Sequence, residues 1–142
     1  MKIDRKASAE WTGGLKDGRG SISTASGALD AYPYGFASRF EGVAGSNPEE
    51  LIGAAHAACF TMAMSLALGD AGFKADSMKT SAVVTLEKVE GGFAITASAL
   101  TLEAIIPGID EATFSKVAAG AKAGCPVSKL MNATISLDAR LV

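Results

Sequence analysis

Apolar and polar residues alternate from Arg5 to Trp11, with Ala7, Ala9 and Trp11 on one face and Lys6, Ser8 and Glu10 on the other. Period two predicts a half-buried strand, which Gly13-Gly14 ends. A second, more polar strand is expected through Ser21-Ile22-Ser23-Thr24, bracketed by Gly18, Gly20 and Gly27, so the first third reads as short hairpins. Tyr32-Pro33-Tyr34-Gly35 is expected to break regular structure, because Pro33 fixes its own φ and pushes Tyr32 toward an extended conformation. A short extended piece, Phe36 to Gly42, should follow.

At Ser46-Asn47-Pro48-Glu49-Glu50 the pattern changes to that of a helix start. Asn47 is a favoured N-cap, Pro48 suits the first helical position, and Glu49 and Glu50 complement the positive end of the dipole. With no breaker before Gly69 and Gly72, the helix should run to Leu68, apolar nearly all round. Such a helix needs neighbours on every side. Thr80 to Glu90 and Phe93 to Ile106 are rich in Val, Ile, Leu and Thr, and Gly91-Gly92 between them signals a hairpin turn. After Pro107-Gly108, Asp110 caps a helix expected to reach about Ala123, and Cys125-Pro126 opens one further turn over Val127 to Met131. Thr134 to Val142 alternates again, with Ile135, Leu137, Ala139 and Leu141 inward. The order β-β-(β)-α-β-β-α-β predicts an α+β fold.

A chain of 142 residues is the size of one domain, spanning 1–142, and can bury a core without disulfides or metals. Its 27 alanines and 16 glycines favour close backbone packing. Net charge is −2 with neither sign gathered into a run, so a nucleic-acid partner is not expected. The N-terminus, Met-Lys-Ile-Asp-Arg-Lys-Ala, has no apolar core of a secretory signal, which predicts a cytoplasmic protein. Leu51 to Leu68 has the length of a membrane span, but His56, Thr61, Ser65, Gly53 and six alanines make a buried helix the better reading and no membrane association is expected.

Two cysteines permit three readings: inert core residues, metal ligands or redox thiols. Cys59 lies among Ala57, Ala58 and Phe60, which suits an inert residue. His56, three residues before it, is the sole histidine, and no second ligand pair completes a zinc set, so no metal is expected. Cys125 stands at a helix start, where unpaired N–H groups favour a thiolate. Glu49 lies about 80° round the helix from Cys59 at 3.6 residues per turn, with Ile52 and His56 on the same stripe. Arg39, between apolar neighbours, is either an edge arginine exposed to water or the partner of Glu49 facing a thiolate, where it would depress the thiol pKa and donate to an oxyanion.

The segment from Tyr34-Gly-Phe-Ala-Ser-Arg39 to Glu49-Glu-Leu-Ile-Gly-Ala-Ala-His-Ala-Ala-Cys59-Phe, with Ala123-Gly-Cys125-Pro-Val-Ser128, closely resembles the OsmC/Ohr family, its OsmC branch best. The resemblance covers essentially the whole chain. It implies an intertwined homodimer with antiparallel strands wrapped around central helices and active sites at the subunit interface. It also implies a thiol-dependent peroxidase acting on organic hydroperoxides and, less efficiently, on hydrogen peroxide, in oxidative or osmotic stress defence. Cys59 would match the peroxidatic cysteine, Cys125 the resolving cysteine, Arg39 the activating arginine and Glu49 the acid that holds it. The reductant would be an external thiol or lipoyl-type dithiol, and no cofactor is implied. The competing class is a non-catalytic small-molecule binding protein on the same fold, with a pocket lined by Tyr34, Phe36, Phe40, Met62 and Met64.

Overall fold

A computed structural model describes every residue, Met1–Val142, and the chain divides into two compact units, Met1–Leu51 and Ile52–Val142. The first holds an antiparallel sheet in the order β1 (Ala7–Thr12), β2 (Arg19–Thr24), β3 (Tyr32–Tyr34), followed by the short helix α1 (Phe36–Phe40). Trp11 and Tyr34 both pair with Gly20, and their rings lie 5.4 Å apart across it. A Cβ at Gly20 would fall 2.7 Å from the Trp11 ring, so only glycine lets the two aromatics close over β2.

Three expectations for this unit are overturned. Tyr32-Pro33-Tyr34 does not break regular structure but forms β3, with Pro33 opposite Ser21. It is an edge strand, where a residue lacking N–H costs no ladder bond, and the Pro33 carbonyl accepts the Ser46 N–H at 2.9 Å. Phe36 to Phe40 is helical rather than extended. Ser38 is the cause: its hydroxyl accepts the Gly35 N–H at 2.9 Å and donates to the Ser46 carbonyl at 2.8 Å. The Arg39 and Glu41 N–H groups then bond to Gly35 and Ala37 carbonyls. Gly42, at φ +69°, stops the turn. β1, expected half-buried, is exposed at all six residues, and the sole buried residue of this unit is Ser46.

The long helix α2 (Pro48–Asp70) has its first turn in the first unit and its remainder in the second. The Asn47 side chain caps it, accepting the Glu50 N–H at 2.8 Å. It ends where Gly72 takes φ +84° and the Phe73 N–H returns to the Leu68 carbonyl at 2.8 Å. By length and composition α2 could cross a membrane, but a stripe of Gly53, His56, Phe60, Met64 and Leu68 is buried within its own unit.

β4 (Ser77–Val89) and β5 (Gly92–Ile105) form the expected hairpin, but its turn is Glu90-Gly91 and not Gly91-Gly92, because Gly92 pairs with Val89. The Asp110 carboxylate caps α3 (Glu111–Gly124) by accepting the Thr113 N–H at 2.8 Å, and α4 (Pro126–Leu130) follows directly. β6 (Thr134–Leu141) alternates inward at Ile135, Leu137, Ala139 and Leu141, as expected. The sheet order is β4-β5-β6, and β6 runs parallel to β5, the one long pairing that is not antiparallel. Phe60, Met64 and Leu68 of α2, Leu100 and Leu102 of β5, and Phe114 and Ala118 of α3 make the core. The result is the α+β architecture with two small sheets.

Candidate active site

Cys59 sits in the middle of α2, half-buried, and Cys125 is fully buried in the joint between α3 and α4. That joint is held from both sides. The Cys125 N–H bonds to the Ala121 carbonyl at 3.0 Å, closing α3, and its own carbonyl accepts the Lys129 N–H at 3.1 Å, opening α4. Pro126 at the first helical position makes the turn from one helix into the next possible without wasting an N–H.

The two thiols are free and neighbour one another. Cys125 makes no conventional capping bond, but the N–H groups of Val127 and Ser128 and the Ser128 hydroxyl all face its sulfur. Burial opposes its ionisation, yet the neighbouring Cys59 thiol, the Ser128 donors and the Val127 N–H outweigh that and hold the Cys125 thiol below its ordinary value. Cys59 goes the other way. Burial raises its pKa and the contact with Cys125 adds to the rise, against the weaker pull of the Val127 N–H.

Arg39 and Glu49 belong to the first unit, the thiols to the second. Arg39, from α1, and Glu49, from the first turn of α2, form a forked ion pair: Nη2 donates to Oε1 at 2.6 Å and Nε to both carboxylate oxygens at 3.2 Å. Arg39 is both exposed, with 36% of its side chain open to water, and paired with Glu49. The carboxylate side chain is only 12% exposed and the guanidinium lies 5.4 Å over the Phe40 ring. Beside them, Trp11, Leu15, Tyr34, Phe36 and Phe40 line a recess of about 210 Å³. In the second unit Ile52, Ala55, Ile95, Val127, Leu130 and Met131 line a larger apolar recess of about 380 Å³, next to the thiol-facing residue Val127.

His56 is fully buried with both nitrogens engaged: Nδ1 with the Ser98 hydroxyl at 2.7 Å and Nε2 with the Ser128 hydroxyl at 2.8 Å. Burial lowers its pKa, so the ring is neutral. No three His, Cys, Asp or Glu side chains cluster in an arrangement that would hold a metal ion. Ser98, Val127 and Ser128 escaped sequence reasoning. Ser98 did carry a signal, a polar side chain on the inward register shared with Leu100 and Leu102. Ser128, three residues past Cys125, occupies the place where a cap's N–H donor is found.

Comparison with known proteins bears on these features. Residues 41–140 match the family model described as OsmC-like protein. Peroxiredoxin OsmC of Escherichia coli K12 is 57% identical over 141 residues, covering 99% of each chain. Among solved structures, the organic hydroperoxide resistance protein OhrB of Bacillus subtilis superposes with a TM-score of 0.72 at 27% identity, covering 96% of this chain and 98% of that one. An OsmC-like protein from Mycoplasma pneumoniae shares the fold at a TM-score of 0.77 and 14% identity, over 100% and 99% of the two chains. Sequence motifs, fold and full-length likeness agree, and the chain belongs to the OsmC/Ohr family.

Proposed function

We propose that this chain is a cysteine-based peroxidase that reduces organic hydroperoxides to alcohols and is restored by an external thiol. The carrying observation is the contact between two free thiols on separate elements of one core. In the first step the Cys59 thiolate attacks the terminal peroxide oxygen. A sulfur–oxygen bond forms, the oxygen–oxygen bond breaks, the alkoxide takes up a proton, and Cys59 becomes a sulfenic acid. Cys125 then attacks the Cys59 sulfur, forming the disulfide and releasing water. Two equivalents of thiol, or one dithiol of lipoyl type, return both sulfurs to the reduced state.

Cys59 needs help for this task, since burial and the neighbouring sulfur both disfavour its thiolate. Arg39 is the proposed source: a permanent cation with five donors, oriented by Glu49. The apolar recesses suit the organic portion of the substrate. The whole chain, 1–142, acts as one catalytic domain in this reading, and two copies form a homodimer. The dimer is supported by α2, where Met62 is 77% and Leu66 69% exposed opposite the buried stripe. Light scattering at micromolar concentration should give twice the chain mass.

The test of function is stoichiometric: reduced protein mixed with one equivalent of cumene hydroperoxide should lose both thiols and yield one cumyl alcohol. Binding of the hydroperoxide without loss of thiols would instead support the non-catalytic binding protein, which the apolar recesses alone would serve equally well.

A further inference from the structure

The helix that carries the resolving cysteine at its cap has little to hold it. α4 is five residues long, too short to persist by its own backbone bonds. Its apolar side chains give weak purchase, since Leu130 is 81% exposed and Val127 only half-buried. The one buried residue of α4 is a serine, Ser128, and its hydroxyl is bonded to Nε2 of His56 at 2.8 Å. His56 is itself fully buried on α2, with Nδ1 bonded to the Ser98 hydroxyl of β5 at 2.7 Å. A neutral imidazole has one donor and one acceptor and a serine hydroxyl serves as either, so both bonds form in either tautomer and no proton has to move. The mechanism above leaves the histidine unused.

Spacing ties this bond to the thiols. Cys59 follows His56 by three residues on α2, and Ser128 follows Cys125 by three at the start of α4. Residues three apart on a helix share a face and lie about one turn from each other. The His56–Ser128 bond and the Cys59–Cys125 pair are therefore neighbouring rungs between the same two helices, met in opposite order along each. The Cys125 carbonyl accepts the Lys129 N–H at 3.1 Å, which makes Cys125 to Lys129 a single closed turn. Whatever fixes Ser128 fixes the backbone of Cys125.

We propose that His56 is a strut for the resolving cysteine: by holding Ser128 it locks the first turn of α4 against α2 and keeps the Cys125 sulfur opposite Cys59. The strut rests on the peroxidase reading for its use in catalysis and on the bonds alone for its existence. In the resolving step the Cys125 sulfur bonds to the Cys59 sulfenic sulfur, the S–O bond breaks, and the hydroxide leaves as water with the proton given up by Cys125. That step gains from two sulfurs already confined beside each other, because the cost of bringing them together has been met in the fold. His56 is a positioning residue here, since it reaches Cys125 only through α4.

A histidine that merely filled the core would matter equally whichever of its nitrogens were kept, whereas a strut depends on Nε2. Asparagine and glutamine separate the two: His56→Asn leaves an amide near the place of Nδ1, within reach of Ser98, and His56→Gln carries the amide to the place of Nε2, within reach of Ser128. The full-length chain is equilibrated with mixtures of reduced and oxidised dithiothreitol, where opening the Cys59–Cys125 disulfide yields two protein thiols as the reagent closes its own ring disulfide, and the disulfide fraction is read by intact mass. In His56→Asn the equilibrium should shift about tenfold toward the protein dithiol, about 30 mV for this two-electron couple, and His56→Gln should recover most of the loss. After one equivalent of cumene hydroperoxide, the dimedone-trappable sulfenic acid should persist about tenfold longer in His56→Asn than in the wild type, with His56→Gln close to wild type. Equal shifts in the two variants would reduce His56 to core packing and overturn the strut, as would a wild-type equilibrium in His56→Asn. Where His56→Asn does not fold, Ser128→Ala against Ser98→Ala makes the same comparison: the shift should appear in Ser128→Ala and stay under about twofold in Ser98→Ala, and equal shifts would again overturn the strut. Failure of the wild-type protein to consume peroxide would remove the peroxidase reading, and the dithiothreitol equilibrium would still decide on the strut.

Discussion

Residues Met1–Leu51 and Ile52–Val142 achieve order by different means. In the first unit a single serine is buried, and shape rests on three short paired strands, two rings closing over Gly20, and the Arg39–Glu49 fork. In the second, α2, β5 and α3 contribute fully buried Phe, Met and Leu side chains to one core. The charged half of the candidate chemistry lies in the first unit and the thiol half in the second. Physical cost explains that division. A guanidinium sealed in a core would lose its hydration, a penalty an ion pair only partly offsets. A thiol tolerates burial, and burial is one of the forces that sets its pKa. Partly exposed ion pairs contribute only about 0.2–1 kcal/mol to stability, so the fork does little to hold the fold.

Mutations can break this contrast. The largest effect expected is from Cys59→Ser, which should lower peroxide reduction by at least about a thousandfold, roughly 4 kcal/mol of transition-state stabilisation, with unchanged melting. A fast first equivalent in Cys59→Ser and none in Cys125→Ser, read by stopped flow and intact mass, would reverse the two assignments. Phe114→Ala, in the dense unit, should destabilise by about 3–5 kcal/mol in urea titrations. Arg39→Ala should raise the Cys59 pKa and slow the peroxide step by at least tenfold, about 1.4 kcal/mol, while shifting stability little. An unchanged rate would return Arg39 to a role in local structure alone. Asn47→Ala should cost about 1 kcal/mol through the lost cap of α2.

The smallest effect is a pH dependence of the cap on α3. The Thr113 hydroxyl and N–H hold the Asp110 carboxyl below its usual range. A carboxylate whose folded pKa is depressed contributes stability above the unfolded value, about 3.9, and loses it as pH falls through the lower folded value. Urea midpoints should decline across that acid window in the wild type and decline less in Asp110→Asn.

Legibility in the sequence divides along the same line. Elements with their own signal were readable: Asn47-Pro48 opening α2, Asp110 opening α3, the β4–β5 hairpin and the alternation of β6. These depend on caps, turns and period, all local. Phe36–Phe40 was misread because five residues are too few to show a helical period, and its helix is imposed by Ser38 bonding to Gly35 and Ser46. Pro33 was misread because edge position, which excuses its missing N–H, is a property of the sheet. The four candidate residues came from the motifs, while Ser98 and Ser128 depend on contacts spanning α2, β5 and α4 that no short window contains. The pairing of Arg39 with Glu49 stood from chemistry as one of two readings of Arg39, and the resemblance favoured it.

The parallel alignment of β6 with β5 sets a clock on the making of this protein. Parallel neighbours cannot be joined by a tight turn, so the stretch from Ile106 to Ala133 must cross over before the third strand can zip into place, and that crossover carries Cys125. On a ribosome Cys59 is synthesised first, and its helix and the β4–β5 hairpin are complete while the strand that fixes Cys125 is still to be made. During that interval a peroxide that oxidised Cys59 would meet no resolving sulfur, and further oxidation would carry it to the sulfinic acid, which thiols do not reverse. With Cys59 and Cys125 in their proposed roles, translation under peroxide stress should leave a fraction of full-length protein permanently oxidised at Cys59 alone.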